Sequence, residues 1–113
     1  MSWEPICQLA DIPSNAGIAA LVGEQQIAIF KVKDAIYAID NHDPVSKANI
    51  LSRGIVGCIN GEISVASPLY KQHYSLQTGQ CIEEDDISVK SFSLRCVDGV
   101  VEICKKSLEA QAA

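Results

Sequence analysis

Two dipeptides, each between runs of apolar residues, constrain the fold of this chain most strongly. Asn-Gly and Asp-Gly adopt the positive backbone angles of a type I′ turn at little cost, and this turn joins antiparallel strands. The sequence therefore predicts two β-hairpins. The turns are Asn60-Gly61 and Asp98-Gly99, and the flanking runs are residues 55–59, 62–66, 89–97 and 100–104.

Further short apolar runs predict the remaining strands. In residues 26–32, Ala28 and Phe30 fall on one face while Ile27 and Ile29 fall on the other, which indicates a strand covered on both sides. About nine short strands joined by turns, without a long amphipathic helix, predict an all-β, antiparallel sandwich or small barrel. The other runs are residues 3–9, 19–22, 35–40 and 74–76, and residues 89–97 are expected to form one strand with Phe92, Leu94 and Cys96 inward.

Length and charge exclude several classes of protein. A chain of 113 residues has the size of one domain, predicted at residues 1–104 with a C-terminal tail at residues 105–113. The net charge of −5 and nine scattered basic residues argue against nucleic-acid binding. No apolar run has the roughly 18 residues that a membrane span needs.

The cysteines and the N-terminal residues predict a cytoplasmic protein. Five cysteines without a CxxC pair indicate reduced thiols rather than a disulfide framework. The first residues show no secretory signal pattern. Cys58, Cys96 and Cys104 are expected in the core because they lie in predicted strands, and Cys81 is expected to be the most reactive thiol.

Two proline-containing boxes flank the first predicted hairpin. They read Asn41-His42-Asp43-Pro44-Val45 and Ser67-Pro68-Leu69-Tyr70, and a run ending in Thr78-Gly79 follows the second box. This arrangement resembles Rieske iron–sulfur domains, in which the boxes read Asn-x-Cys-Pro-His and Cys-Pro-x-His. At the four ligand positions implied by the resemblance, this chain carries Asp43, Val45, Ser67 and Tyr70.

These four substitutions imply a Rieske-like scaffold without a cluster. A Rieske centre needs two thiolates and two imidazoles. Valine has no donor atom, and hydroxyl oxygens are poor ligands for a sulfide-bridged iron pair. We therefore expect no metal, no cofactor and no catalytic residue in this chain.

Over residues 3–103 the chain resembles one particular family, the small subunits of cytoplasmic NADH-dependent assimilatory nitrite reductases. The resemblance implies that the partner is a large subunit carrying FAD, siroheme and a [4Fe-4S] cluster, which reduces nitrite to ammonium. This chain would assist assembly, stability or an electron-transfer interface. The matching segments are Ile27-Ala28-Ile29-Phe30, Asn41-His42-Asp43-Pro44, Leu51-Ser52-Arg53-Gly54, Val65-Ala66-Ser67-Pro68-Leu69, Lys71-Gln72, Asp98-Gly99-Val100-Val101 and the acidic stretch after Cys81.

The resemblance also places the two boxes side by side at one end of the molecule, which we call the tip. Proline-stiffened loops, a tyrosine and lysines at the rim favour a docking surface for the large subunit. The exposed acidic loop at residues 83–86 is the competing surface. The predicted docking residues are Asp43, Pro44, Lys47, Arg53, Ser67, Pro68, Tyr70 and Lys71.

Other functions remain open from the sequence. Lys47, Arg53 and Lys71 could attract an anion such as nitrite, and Asp43 with Tyr70 could transfer a proton or simply join the two loops. No close Cys/His pair indicates a zinc site. The alternatives to a nitrite reductase subunit are a working Rieske [2Fe-2S] ferredoxin and a free-standing binding module.

Overall fold

The computed structural model describes residues 2–69 and 71–105. Within these residues the chain forms twelve strands and two short 3-10 helices, so the predicted all-β class is confirmed. The described residues contain no helix long and apolar enough to cross a membrane. The strands are β1 Trp3–Gln8, β2 Ala16–Val22, β3 Gln25–Val32, β4 Ala35–Asp40, β5 His42–Asp43, β6 Ala48–Asn49, β7 Ile55–Ile59, β8 Glu62–Ala66, β9 His73–Ser75, β10 Ser91–Phe92, β11 Leu94–Val97 and β12 Val100–Cys104, and the 3-10 helices are Leu9–Asp11 and Leu51–Arg53.

Three antiparallel sheets stack in layers, with a small two-stranded ladder of β5 and β6 beside them. The middle sheet has the order β10-β4-β3-β2, one outer sheet is β1-β12-β11, and the other is β7-β8-β9. One apolar core lies on each side of the middle sheet. Ile27 and Ile29 of β3 enter the core shared with β12, whereas Ala28 and Phe30 enter the core shared with β8 and β9. The predicted burial of both faces of this strand is confirmed.

Both predicted hairpins form with the expected turns. Asn60 and Gly61 have φ of 51° and 83°, and Asp98 and Gly99 have φ of 51° and 79°, which are type I′ values. The register pairs Ile59 with Glu62 and Val97 with Val100 directly across each turn. The local turn chemistry therefore sets the registers of β7 with β8 and of β11 with β12.

The prediction of one strand at residues 89–97 is wrong. The chain pairs with β4 at Ser91–Phe92, leaves the sheet at Ser93, and pairs with β12 from Leu94 onward. It thus passes from the middle sheet to an outer sheet. An uninterrupted alternation of apolar residues cannot reveal that the pairing partner changes within the run.

The core positions predicted for Cys58 and Cys96 are also wrong, because both residues are exposed. Each lies on an edge strand two residues before a hairpin turn, where the covering layer no longer reaches. Cys104 is buried as predicted, but Cys81, expected to be the most reactive thiol, is buried as well. The bridge between Tyr74 and Cys81 folds this segment back onto β9.

We expect Cys58 and Cys96 to react rapidly with a thiol reagent in the native protein, and Cys81 and Cys104 only after unfolding. Cys7 should react slowly, because burial, followed by the charge of Asp11, raises the pKa of its thiol. A short iodoacetamide pulse followed by peptide mass spectrometry measures all five sites. Cys58→Ser should remove one fast equivalent and leave the others unchanged, and early labelling of Cys81 would contradict the packing of this segment.

Candidate functional site

The two boxes meet at the tip through one short hydrogen bond. The Ser67 hydroxyl of the second box donates to the Asp43 carboxylate of the first box, with 2.5 Å between Oγ and Oδ2. Both residues are buried: Asp43 is 0% exposed and Ser67 is 1% exposed. Asp43 therefore joins the two loops through Ser67. The sequence alternative named Tyr70 as the partner of Asp43, and that pairing stays a prediction because Tyr70 lies outside the described residues.

Four donors converge on the buried Asp43 carboxylate. The Val45 amide and the Tyr74 hydroxyl donate to Oδ1 at 3.0 and 3.1 Å, while the Ser46 and Ser67 hydroxyls donate to Oδ2. Burial by itself raises the pKa of Asp43, but the four hydrogen bonds outweigh it and hold that pKa below its ordinary value. The carboxylate is therefore ionised at neutral pH although it is shielded from water.

The hydroxyl of Tyr74 is one of the donors to this carboxylate. Burial, followed by the negative charge of Asp43 and the hydrogen bond to it, raises the pKa of Tyr74. The phenol thus remains protonated and serves as a donor. Sequence reasoning assigned this role to Tyr70, which lies outside the described residues.

The two loops share a backbone pattern that the sequence analysis missed. Each loop begins with a residue whose backbone carbonyl accepts a hydrogen bond, continues with a proline, and closes at a lysine four positions after the first residue. The amide of Lys47 donates to the Asp43 carbonyl at 2.7 Å, and the amide of Lys71 donates to the Ser67 carbonyl at 3.0 Å. Both lysines have a φ of 62°, the left-handed conformation that ends such a turn. The repeated signal is x-Pro-x-x-Lys at residues 43–47 and 67–71.

Asn41 connects the first loop to the Leu51–Arg53 helix. Its side-chain oxygen accepts the Ser52 amide at 2.7 Å, and its carbonyl accepts the Leu51 amide at 3.1 Å. A side chain at Gly54 would collide with the Ala66 carbonyl, so this position must be glycine for the helix to pack on β8. These contacts explain the Leu-Ser-Arg-Gly motif and fix Arg53 at the tip.

The predicted docking residues divide by exposure. Asp43 and Ser67 are interior and can shape a surface only from below, whereas Pro44 is half-buried. Arg53 and Lys71 line a shared cleft of about 310 Å³, from which Lys47 is absent. Tyr70 lies outside the described residues. The exposed predicted residues are Lys47, Arg53, Pro68 and Lys71.

Three further residues at the tip, Ile55, Leu69 and His73, were not predicted as docking residues. Ile55 is 78% exposed and Leu69 is 60% exposed, and Ile55 lines the cleft together with His73. An isolated exposed apolar residue leaves no signal in a sequence, because a strand pattern predicts alternation but not which end of a strand is covered. The tip therefore combines apolar and cationic groups.

His73 is tied to the acidic loop. Its backbone amide donates to Glu83 Oε1 at 2.8 Å, and its ring Nδ1 lies 2.5 Å from Glu83 Oε2. Burial by itself raises the pKa of Glu83, but the hydrogen bonds and charge it meets, chiefly from His73, together outweigh burial and lower this pKa. The acidic loop is exposed as predicted, yet Glu83 is part of the tip framework.

Asp43, Val45 and Ser67, which stand at three of the four ligand positions implied by the resemblance, do not fit a two-iron cluster. Val45 offers no donor atom, and Asp43 and Ser67 are satisfied by each other at 2.5 Å, which leaves no room for iron between them. Within residues 2–69 and 71–105, no group of three or more His, Cys, Asp or Glu side chains could hold a metal ion. His42 is instead paired with Asn49 across the β5–β6 ladder.

Asp43→Asn should lower the free energy of unfolding at pH 7 by roughly 1 to 3 kcal/mol, because one acceptor oxygen becomes an amide nitrogen that cannot accept, and the remaining charge-assisted hydrogen bonds become neutral ones. The pKa of Asp43 is lower in the folded than in the unfolded protein, so its stabilisation is complete above the unfolded value of about 3.9. It is lost as the pH falls through the folded pKa. Urea titrations from pH 7 to pH 3 should therefore show the wild-type and variant stabilities converging.

Asp40→Asn is the matched control, because among the described residues its carboxylate accepts one exposed backbone bond, from His42 at 2.9 Å. We expect this change to cost less than about 1 kcal/mol. Equal losses for the two variants at every pH would show that Asp43 is not the organising charge of the tip.

Comparison with known proteins agrees with this geometry. The sequence profile of the Rieske-like [2Fe-2S] domain matches residues 2–104. The chain is 43% identical over 103 residues to the nitrite reductase (NADH) small subunit of Escherichia coli K12, covering 89% of this chain and 95% of that protein. The crystal structure of a nitrite reductase NADPH (small subunit) oxidoreductase protein superimposes with a TM-score of 0.89 and 41% identity, over 92% of this chain and 99% of the other.

A third relative places the same kind of domain inside a larger polypeptide. The chain is 43% identical over 110 residues to part of the nitrite reductase [NAD(P)H] large subunit of Klebsiella oxytoca, covering 97% of this chain and 12% of that protein. The extent of these matches leaves no segment of the described fold unaccounted for. The chain belongs to the Rieske-like [2Fe-2S] domain family, in the group that contains the small subunits of NADH nitrite reductases.

Proposed function

We propose that this chain is the small subunit of an NADH-dependent nitrite reductase and that it works without an iron–sulfur cluster of its own. The observation that carries the assignment is the 43% identity to the Escherichia coli small subunit over almost the whole of both chains. The complex is an oxidoreductase that reduces nitrite to ammonium in nitrate assimilation. FAD, siroheme and a [4Fe-4S] cluster belong to the large subunit.

The contribution of this chain is structural rather than catalytic. The hydrogen-bonded Asp43 carboxylate joins the two loops at the place where a Rieske domain has its cluster. Because these residues offer no redox group, the subunit assists assembly or shapes an electron-transfer interface. A Rieske-type ferredoxin is not favoured, since the same donor set does not fit its cluster.

The tip docks on the large subunit. Arg53 and Lys71 supply positive charge around the cleft, while Pro68 and Leu69 supply exposed apolar surface. Loops that are already closed by internal hydrogen bonds lose little entropy on binding. Asp43, Pro44 and Ser67 support this surface, Lys47 lies at its rim, and Tyr70, which lies outside the described residues, remains a proposed docking residue. In the Klebsiella oxytoca relative the matching domain belongs to the large-subunit polypeptide, which supports close association.

The remaining features of the assignment follow the family resemblance. We take residues 1–104 as the single domain and residues 105–113 as a tail, of which residues 106–113 lie outside the described part of the chain. The protein works in the cytoplasm, where NADH is available and thiols remain reduced. Docking accounts for the cationic residues at the tip, so we assign no direct binding of nitrite to them.

The purified chain should contain no stoichiometric iron or acid-labile sulfide, even when it is produced with an active cluster-assembly system. It should copurify with a large subunit that carries flavin and siroheme. Metal analysis and visible absorption measure the first expectation, and affinity purification from co-expressing cells measures the second. A visible spectrum of a two-iron cluster in this chain alone would favour the ferredoxin alternative.

Leu69→Ser should weaken association with the large subunit by about 1 kcal/mol or more, because it removes an exposed apolar anchor from the tip. Leu21→Ser is the matched control, since Leu21 is 69% exposed on β2. Calorimetry or surface plasmon resonance measures both variants after circular dichroism confirms folding. If Leu69→Ser binds like the wild type while Glu84→Ser with Asp85→Ser fails, the acidic loop is the interface instead.

A further inference from the structure

Strand β7 forms an open edge next to the tip cleft. It pairs with β8 alone, and no backbone hydrogen bond joins it to any other part of the chain that the structure describes. Ile55 is 78% exposed, and Gly57 and Cys58 are exposed as well. The strand begins two residues after Arg53, so its edge continues the proposed docking surface.

The ladder shows which groups of β7 face outward. The Leu76 amide donates to the Ile63 carbonyl at 3.0 Å, so the backbone groups of Ile63 point towards β9. The amide and carbonyl of one residue point to the same side of an antiparallel strand, and the sides alternate along the chain. Ser64 therefore faces β7 and bonds Gly57, its register partner. It follows that Val56 and Cys58 direct their amides and carbonyls away from the sheet.

Four other edge strands of the fold are protected. β1 contains Pro5 and a register shift between Pro5 and Cys7. The segment that contains Cys81 pairs with Tyr74 through a β-bridge and so covers β9. Strand β2 packs against β1 and the Leu51–Arg53 helix. β11 carries Arg95, whose guanidinium lies 4.4 Å from the Trp3 ring and pairs with Glu102.

β7 has none of these protections. It contains no proline and no charge, and its five residues pair with β8 in unbroken register. Proteins normally shield such an edge against pairing with other chains. An open edge that has kept its apolar residues is therefore suited to receive a strand.

We propose that an extended, acidic segment of the large subunit adds to β7 as a fourth strand of the β7-β8-β9 sheet. This inference rests on the proposed function and specifies the mode of docking. Arg53 and Lys71 border one end of the strand, and Lys33 borders a second cleft at Gly57 and Cys58, while β7 itself has no carboxylate. A negatively charged segment is complementary to these cationic residues, whereas a second copy of this chain, with its net charge of −5, would be repelled overall.

The bound strand has a defined set of contacts. Its backbone bonds the outward groups of Val56 and Cys58, and one side chain enters the cleft over Ile55. A carboxylate on this side of the strand reaches Arg53 or Lys71. Main-chain bonds then supply affinity, and the cleft supplies specificity, as in other cases of strand addition.

Amide hydrogen exchange tests the proposal without a mutation. In the free chain the amides of Val56 and Cys58 should exchange fast, and the amide of Gly57, bonded to β8, should exchange slowly. Addition of the purified large subunit from the same organism should slow exchange at Val56 and Cys58 by about tenfold or more and leave Gly57 little changed. Unchanged exchange at Val56 and Cys58 in a formed complex would overturn the strand addition.

A pair of variants provides the second test. Cys58→Pro removes one outward amide without removing a bond to β8, and Cys58→Ala keeps that amide. Cys58→Pro should weaken binding of the large subunit about tenfold or more, and Cys58→Ala should bind like the wild type. Circular dichroism checks the folding of both, and the exchange experiment decides alone if Cys58→Pro does not fold.

The outcomes separate the two proposals. If the wild-type chain binds and Cys58→Pro binds equally well, strand addition is wrong and the proposed function stands. If the wild-type chain does not bind the large subunit at all, the proposed function itself fails. If light scattering shows that the chain alone forms dimers that Cys58→Pro abolishes, the occupant is a second copy and the acidic segment is ruled out.

Discussion

The buried carboxylate of Asp43 is the interaction on which the tip depends. A charge with no exposed surface is strongly unfavourable unless donors surround it, and here four donors do so. The donors come from its own loop, from the second loop and from β9, at Val45, Ser46, Ser67 and Tyr74. A Rieske domain holds the corresponding loops through iron, and this chain holds them through hydrogen bonds to one anion.

The surface of the tip follows from this interior arrangement. The loop turns that close at Lys47 and Lys71 begin at Asp43 and Ser67, the two residues that the short hydrogen bond joins. Asn41 connects these loops to the Leu51–Arg53 helix, because its side chain accepts the Ser52 amide, and the chain enters β7 directly after this helix. The cationic cleft, the exposed Leu69 and the open edge of β7 are therefore presented by one connected framework. A rigid presentation of this kind suits docking, because little conformational entropy remains to be lost.

The proposed function, in which the subunit works without a redox group, changes what such a scaffold can contribute. An electron carrier must bring its metal close to a partner, whereas a subunit without one can act only through the shape and charge of its contact surface. The apolar edge and the positive rim at the tip lie on a chain with an overall charge of −5, so the positive charge is local. Local charge of this kind orients an approaching partner more than it adds affinity.

The sequence by itself determined the parts of this protein that depend on a few neighbouring residues. Asn60-Gly61 and Asp98-Gly99 determined two hairpins and their registers, and the alternation in β3 determined that both of its faces are buried. The resemblance of the two boxes to Rieske boxes implied that other residues stand at the ligand positions. Only the tertiary structure decided how far each covering layer extends, and hence that Cys58 and Cys96 are exposed while Cys81 is buried. It also decided that the chain changes sheets at Ser93 and that Asp43 is bonded by Ser67 and Tyr74, which lie 24 and 31 residues away in the chain. Turn angles and side-chain alternation are local properties, whereas the extent of a layer and the partner of a buried charge are settled by segments that meet only when the chain is folded.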